Sequence, residues 1–376
     1  MANDLDKVIP VLLAQGLMAL RENSLMPRLV NTSYSTEAAS KGNTINVPIP
    51  SAITVADVVP ANIAPNPGDT APTDAPIVLS NWKEGSFQLS DKDLAEAMSG
   101  IIPMQASEAI KAISNQIDQD LMSLYKDVYG FAGVPGATPF ASSTVEATDT
   151  RKVLNKQLAP LNDRRFVLDA DAEGNALNLR AFQDGSYSGD VSAIIDGKLN
   201  HKIGFDWFMD QNIPTHTVGT QDGAYVVNGV NALGATTLNV KTGTGTLTDG
   251  DILKIAGDTQ TYVVTTLYTP GGAGAVSISP GLKVATTGDE AITVKGTAST
   301  GYAQNLAFHR DAFAFASRTL LETGEGLGHY MSAADKVSGL TLRLEVSREY
   351  KRTRYSYDIL YGFATIRPEL ACRLWG

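Results

Sequence analysis

The chain has 376 residues, 43% hydrophobic and 19% charged, with a formal charge of −10 and a pI near 4.9. Such a chain is globular and holds two or three domains, and its acidity excludes a protein whose whole surface grips nucleic acid through Lys and Arg on phosphate. Its single cysteine, Cys372, excludes an internal disulfide and a cysteine-based metal cluster, and fits a reducing compartment.

Residues 1–43 read as a helical arm followed by polar loop. The apolar run 8–20 is broken by Pro10, Gln15 and Gly16, which fits an amphipathic helix better than a signal peptide. No run reaches the ~18–20 apolar residues of a membrane helix, so the chain is expected to be soluble and cytoplasmic when made.

The stretch 44–90 begins and ends as alternating strand. Between and within these strands lie Pro48, Pro50, Pro60, Pro65, Pro67, Pro72 and Pro76, seven of the 17 prolines inside 29 residues. Proline fixes φ and donates no backbone hydrogen bond, so the stretch is extended, stiff and unsuited to a central sheet. A stiff apolar arm that cannot bury itself points to a neighbouring subunit.

Ser90 is positioned to cap a short helix, 91–98, with Asp93 in the capping box, before Gly100 and Pro103 interrupt. A long helix is predicted over 104–129. Its stripe is Ile110, Ile113, Ile117, Leu121, Leu124 and Val128, and at 1.5 Å rise per residue it spans roughly 35–40 Å.

A loop at 130–148, a helix near 150–158, a strand at 165–169 and a mixed region to about Pro214 follow. Residues 221–297 then hold 13 of the 34 glycines and neither Phe nor Trp. Six short strands are predicted there, at 224–228, 237–241, 252–256, 262–267, 276–279 and 291–295. Their spacing predicts a small antiparallel barrel. A helical pattern is expected to resume at Asn305, giving a β-domain inserted into an α+β domain. The end reads as a long hairpin whose basic tip runs from Arg348 to Arg354, either a contact site or a solvated turn.

No catalytic constellation emerges. His201, His216, His309 and His329 have no metal-ligand spacing. Gly197-Lys198 is followed by Leu199, so no phosphate loop forms, and the glycines at 324–328 read as a flexible loop. Gly185-Ser186-Tyr187-Ser188-Gly189 has Tyr187 where a nucleophile elbow needs serine. The run from Asp169 has Arg180 where a calcium loop needs glutamate, so a turn after the strand explains it better. Cys372 reads as a small buried residue. These residues give no catalytic, metal or cofactor site.

The order of parts resembles the major capsid proteins of tailed double-stranded-DNA phages, the HK97-type fold, in the subfamily with an inserted β-rich domain. Local phrases carry it: Trp82-Lys83-Glu84-Gly85-Ser86-Phe87-Gln88-Leu89, Leu306-Ala307-Phe308-His309-Arg310-Asp311, and Tyr357-Asp358-Ile359-Leu360-Tyr361-Gly362 running on to Glu369. The resemblance implies an α+β fold in five parts: an N-terminal arm, 1–43; an extended loop, 44–90; a peripheral domain, 91–149 and 340–361, with spine helix 104–129; an axial domain, 150–220, 298–339 and 362–376; and an inserted β-barrel, 221–297. It implies a non-enzymatic protein that builds an icosahedral shell from hexamers and pentamers of itself. Scaffolding protein, portal and non-specifically held double-stranded DNA would be its partners, without membrane. It would reside in the virion, and in host cytoplasm during assembly. An intact Met1 argues against removal of a long leader. The expected subunit contacts are Ile53, Val55, Val58, Val59, Ile63 and Trp82 on the arm, Arg348, Lys351, Arg352 and Arg354 at the hairpin tip, and Asp249 and Asp251 on the barrel, with Asp289 and Glu290 as further charge partners. The alternatives are a tail component or encapsulating compartment, and, in a different class, a β-rich hydrolase or carbohydrate-binding protein.

Overall fold

A computed structural model describes residues 5–34, 43–50, 53, 55, 57–58, 60, 72–92, 101–185, 192–269, 271–320, 328–334 and 339–376. The chain divides into two units. The first comprises Met1–Met18, Thr32–Ala109 and Ala314–Ile366, and the second Ala19–Asn31, Ile110–Phe313 and Arg367–Gly376. Among the described residues no helix is long and apolar enough to cross a membrane.

In the first unit, Thr44–Ile49 and Thr73–Val78 pair antiparallel as a two-stranded ribbon, Thr44 opposite Val78 and Ile49 opposite Thr73. Strands have period two, so Ile45, Val47 and Ile77 share one face. That face packs with Leu79 against Ala314, Ala316 and Ile366. A five-stranded sheet accompanies it. Arg352–Thr365 lies between Thr341–Glu349 and Asn81–Ser90, with Gly328–Ala334 and Phe313–Arg318 completing the sheet. The predicted terminal hairpin is therefore present, turning at Tyr350 and Lys351. Gly85 allows a close approach: a Cβ there would stand 2.9 Å from the Ala109 carbonyl oxygen.

The long helix runs Ile101–Met122 and then tightens into a 3-10 turn, Ser123–Asp127. It was expected over 104–129. It already includes Ile101 and Pro103 at the edge of the described residues. It ends earlier because the backbone adopts i→i+3 bonding after Met122. Ile110, Ile113, Ile117 and Leu121 are buried, as the stripe predicted. Asp91 and Lys92 are helical, and the rest of the helix expected at 91–98 lies outside the described residues.

The second unit holds a seven-stranded sheet in the order Phe131–Gly133, Ala371–Trp375, Gly301–His309, Arg164–Leu168, Phe205–Met209 and His201–Lys202, with Thr215–Thr217 also on Gly301–His309. Residues 301–309 are a strand and not the helical restart expected at Asn305. Residues 304–309 are all buried between two neighbouring strands, so this stretch lacks the inside-outside alternation that marks a half-buried strand. Asp169 stands at the N-cap position, without a side-chain capping bond, of a short helix, Ala170–Asn178, where a simple turn was expected. Phe140, Phe166, Phe182, Phe205 and Trp207 form the aromatic core beside this sheet.

Six antiparallel strands occupy 226–294, in the order Ile292–Val294, Ile252–Ile255, Thr261–Val264, Gly274–Ser279, Thr237–Lys241 and Val226–Val227. The two ends of the order meet. Val227 N–H donates to the Glu290 carbonyl at 2.9 Å and Ile292 N–H to the Tyr225 carbonyl at 3.0 Å, which closes the sheet into a barrel. Its core runs from Leu238, Val240, Val263 and Ile278 on to Tyr129, Tyr302 and Trp375.

Candidate assembly surfaces and the buried clasp

The arm presents apolar side chains to solvent. Ile53 is 79%, Val55 99% and Val58 91% exposed. Val59 and Ile63 lie outside the described residues. Trp82 is 63% exposed, yet its indole is anchored. Its Nε1–H donates to Asp358 Oδ2 at 2.8 Å, and Asp358 also takes a bidentate pair from Arg343, at 2.9 and 2.6 Å. The sequence placed Trp82 on a strand of period two, and the structure adds the carboxylate that holds it. A ring held rigid at the surface loses little entropy on contact.

The hairpin tip is less basic than its sequence. Arg348 pairs with Asp91 at 2.6 Å, Arg352 pairs with Glu349, and Arg354 pairs with Glu84. Lys351 sits 5.1 Å from the Tyr350 ring centre, and Tyr350 is 86% exposed. The tip therefore offers paired charge and one aromatic ring.

The acidic candidates of the barrel are engaged inside the chain. Asp249 pairs with Lys126 at 3.2 Å, with both side chains partly exposed. Asp289 pairs with Lys241, and Glu290 accepts the amides of Thr287 and Gly288. Those amides pull the Glu290 carboxyl down to about 2. Asp251 was expected at a subunit contact and is not available for one. It is fully buried. Its Oδ2 accepts from Thr248 N at 2.7 Å and Gly219 N at 3.2 Å, and its Oδ1 faces His216 Nε2 at 2.9 Å.

Asp251 belongs to a buried clasp that sequence spacing did not reveal. A carboxylate only accepts, so His216 Nε2–H must donate to it. In the neutral ring this leaves Nδ1 to accept from the Tyr125 hydroxyl, 3.1 Å away. The guanidinium of Arg373 lies 5.6 Å from the Tyr125 ring centre and 5.9 Å from that of Trp375. Its Nη1 donates to the Gly250 carbonyl at 2.9 Å, while Nε and Nη2 have no hydrogen-bond partner. Gly250 holds φ at +98°, a left-handed turn open to glycine, and a Cβ there would meet the His216 ring at 3.1 Å. Burial pushes Arg373 down to about 10 and Tyr125 up to about 12. Arg373 is still charged at neutral pH, so the clasp encloses one cation and one carboxylate with aromatic walls. Cys372 is fully buried, as expected, and burial raises its thiol.

Among the described residues no group of three or more His, Cys, Asp or Glu could hold a metal ion. The pseudo-elbow at 185–189 and the glycines at 324–328 fall almost wholly outside the described residues.

No protein-family model matches the sequence, and no curated protein matches it. Solved structures do. One from Mycobacterium phage Che8 superposes with a TM-score of 0.56 at 14% identity, covering 93% of this chain and 90% of that one. A chain of the capsid structure of the cyanophage P-SCSP1u superposes with a TM-score of 0.51 at 11% identity, covering 94% of this chain and 88% of that one. The chain shares the mixed helix-and-sheet fold of these phage structures along nearly its whole length.

Proposed function

We propose that this chain is a structural protein that self-assembles into the icosahedral capsid of a double-stranded-DNA phage, without enzymatic activity. The observation that carries the reading is the fold shared with a chain of a phage capsid over 94% of this sequence. The architecture is the HK97 type. Residues 44–90 form the extended loop, the helix Ile101–Met122 the spine, the hairpin strands Thr341–Glu349 and Arg352–Thr365 the peripheral sheet, and the seven-stranded sheet the axial domain. Residues 221–297 form the inserted barrel.

Ile53, Val55, Val58, Val59, Ile63 and Trp82 meet a neighbouring copy. Exposure of three aliphatic residues and an anchored indole supports this. Burial at ~25 cal/mol per Å² gives ~25 kcal/mol gross for ~1,000 Å² of apolar contact. Lost rigid-body freedom and arm ordering oppose most of it. A few kcal/mol net per contact is enough when each copy touches several others in a closed, symmetric shell. Arg348, Lys351, Arg352, Arg354 and Tyr350 form a second contact, where the pairs seen within the subunit exchange for pairs between subunits. Asp249, Asp289 and Glu290 remain as acidic candidates on the barrel. The barrel steadies the subunit through the Asp251 clasp. Scaffolding protein and portal act during assembly in host cytoplasm, and the shell touches packaged DNA without sequence preference.

Electron microscopy of the purified protein tests the reading. Hollow polyhedral particles are expected. Tubes or persistent monomers under assembly conditions overturn it.

A further inference from the structure

His309 ends a buried strand and opens a turn. It is the last residue of Gly301–His309, is 7% exposed, and is followed by the short turn Arg310–Ala312. Its Nδ1 accepts the Asp311 backbone amide at 3.2 Å. That bond requires an Nδ1 without a proton, so the neutral ring carries its hydrogen on Nε2. Other segments are bonded to the same turn. Asn31 N–H donates to the Phe313 carbonyl at 3.1 Å, and Asn31 Nδ2 donates to Asp311 Oδ1 at 2.8 Å. Arg367 N–H donates to the Ala312 carbonyl at 3.1 Å, and Arg310 N–H to the Asp163 carbonyl at 3.3 Å. All of these residues belong to the second unit, and Asn31, Phe313 and Arg367 stand at its boundaries along the chain.

An imidazolium donates from both nitrogens and accepts at neither. A proton on Nδ1 would set two N–H groups, the ring's and that of Asp311, against each other at hydrogen-bond distance. The Asp311 carboxylate lies 3.7 Å from Nδ1 at Oδ2, so ring and turn must move before the new donor is paired. We propose that His309 is a pH-sensitive latch: protonation of its Nδ1 withdraws the cap from the Asp311 amide and loosens the turn Arg310–Ala312 together with the segments bonded to it at Asn31 and Arg367.

The charges facing the ring come from the turn and from the neighbouring strand. Asp311 lies on the turn, Asp163 precedes the strand Arg164–Leu168, and Arg164 and Arg165 lie on it, with Arg164 opposite His309. Burial holds the imidazole below its ordinary value of 6.5; the two arginines add to this and the two aspartates oppose it. As pH falls, the unfolded chain therefore takes up the proton before the folded one. The stability contributed by the latch is complete above about pH 6.5 and is lost as pH falls through the folded value.

The test is hydrogen–deuterium exchange of the unassembled full-length chain at about pH 7.5 and about pH 5.5, corrected for the intrinsic pH dependence of exchange, in the parent and in His309→Asn. Asparagine offers a capping oxygen that does not titrate. The Asn31, Asp311 and Arg367 amides are expected to lose at least about threefold in protection on acidification of the parent and to keep it in His309→Asn. No loss in the parent, or an equal loss in both, overturns the proposal. If His309→Asn fails to fold, or lacks this protection at both pH values, the titration of the parent decides. A loss confined to these segments with a midpoint below pH 6.5 supports the latch; a loss shared with the barrel strand Thr261–Val264, or a midpoint at or above 6.5, overturns it. The assay reads no particles, so its outcome is separate from that of the capsid proposal.

Discussion

Replacing Asp251 by alanine removes one acceptor from three donors at once. Thr248 N–H, Gly219 N–H and His216 Nε2–H all point at this carboxylate, and the side chain is fully buried. Each buried donor left without a partner costs ~1–3 kcal/mol. Removing the aspartate also removes its own desolvation cost, which offsets part of that sum, so the net expectation is ~3–5 kcal/mol. Asp251→Asn should cost only ~1–2 kcal/mol. Its oxygen can still accept both backbone amides. Its NH2 then faces His216 Nε2, and the ring adjusts by moving its proton to Nδ1, where the Tyr125 hydroxyl accepts it. The control is Asp249→Ala, which breaks the partly exposed pair with Lys126 and should cost below ~1 kcal/mol. Urea unfolding of the unassembled subunit, followed by tryptophan fluorescence, reads all three. Trp375 suits this assay because it is fully buried with its ring centre 5.9 Å from that of His216. An alanine variant within ~1 kcal/mol of the parent, or an asparagine variant as damaged as the alanine, refutes the clasp as drawn.

Three further outcomes are expected. Combined Ile53→Ser, Val55→Ser and Val58→Ser should leave subunit stability within ~0.5 kcal/mol, since these side chains are exposed, while sedimentation shows particle yield collapsing. Cys372 should resist a thiol reagent in the folded chain and react only as fast as the chain unfolds, because the thiol is buried and its pKa raised by burial; rapid labelling without unfolding would contradict this. Leu158 holds φ at +60° and is 88% exposed, so Leu158→Gly should raise stability by ~1 kcal/mol in thermal unfolding. A loss there would mean that the leucine side chain makes a contact worth more than its strain.

Much of the fold was legible because its periods are local. The barrel strand Thr237–Lys241 falls where alternation and flanking glycines put it, and the other five overlap their predicted ranges. The stripe from Ile110 to Leu121 is buried as a 3.6-residue period demands. Reading failed where local period and tertiary environment part company. Gly301–His309 lies between two neighbouring strands, and its residues 304–309 are buried whichever face they take, so alternation vanishes. Closure of the barrel, by contrast, was expected from the strand spacing, and main-chain bonds between residues 225–227 and residues 289–292 make it.

The candidate surfaces divide along the same line. The apolar arm could be named because proline content and exposed aliphatic residues are properties of one contiguous stretch. The acidic set could not be sorted, because an aspartate on a surface turn and an aspartate at the bottom of a clasp look alike in sequence. Asp249 and Asp251 are two residues apart, on the turn preceding one strand; the first is partly exposed and the second wholly buried. What separates them is the company of Tyr125, His216 and Arg373, each from a different part of the chain. The arm is one surface whose aliphatic side chains, Ile53, Val55 and Val58, are left exposed by the subunit. If Asp251→Ala loosened the barrel yet particles formed with unchanged yield, assembly would depend on the arm alone. If Asp249→Ala cut particle yield while leaving subunit stability unchanged, the barrel's rim would join the arm as a contact.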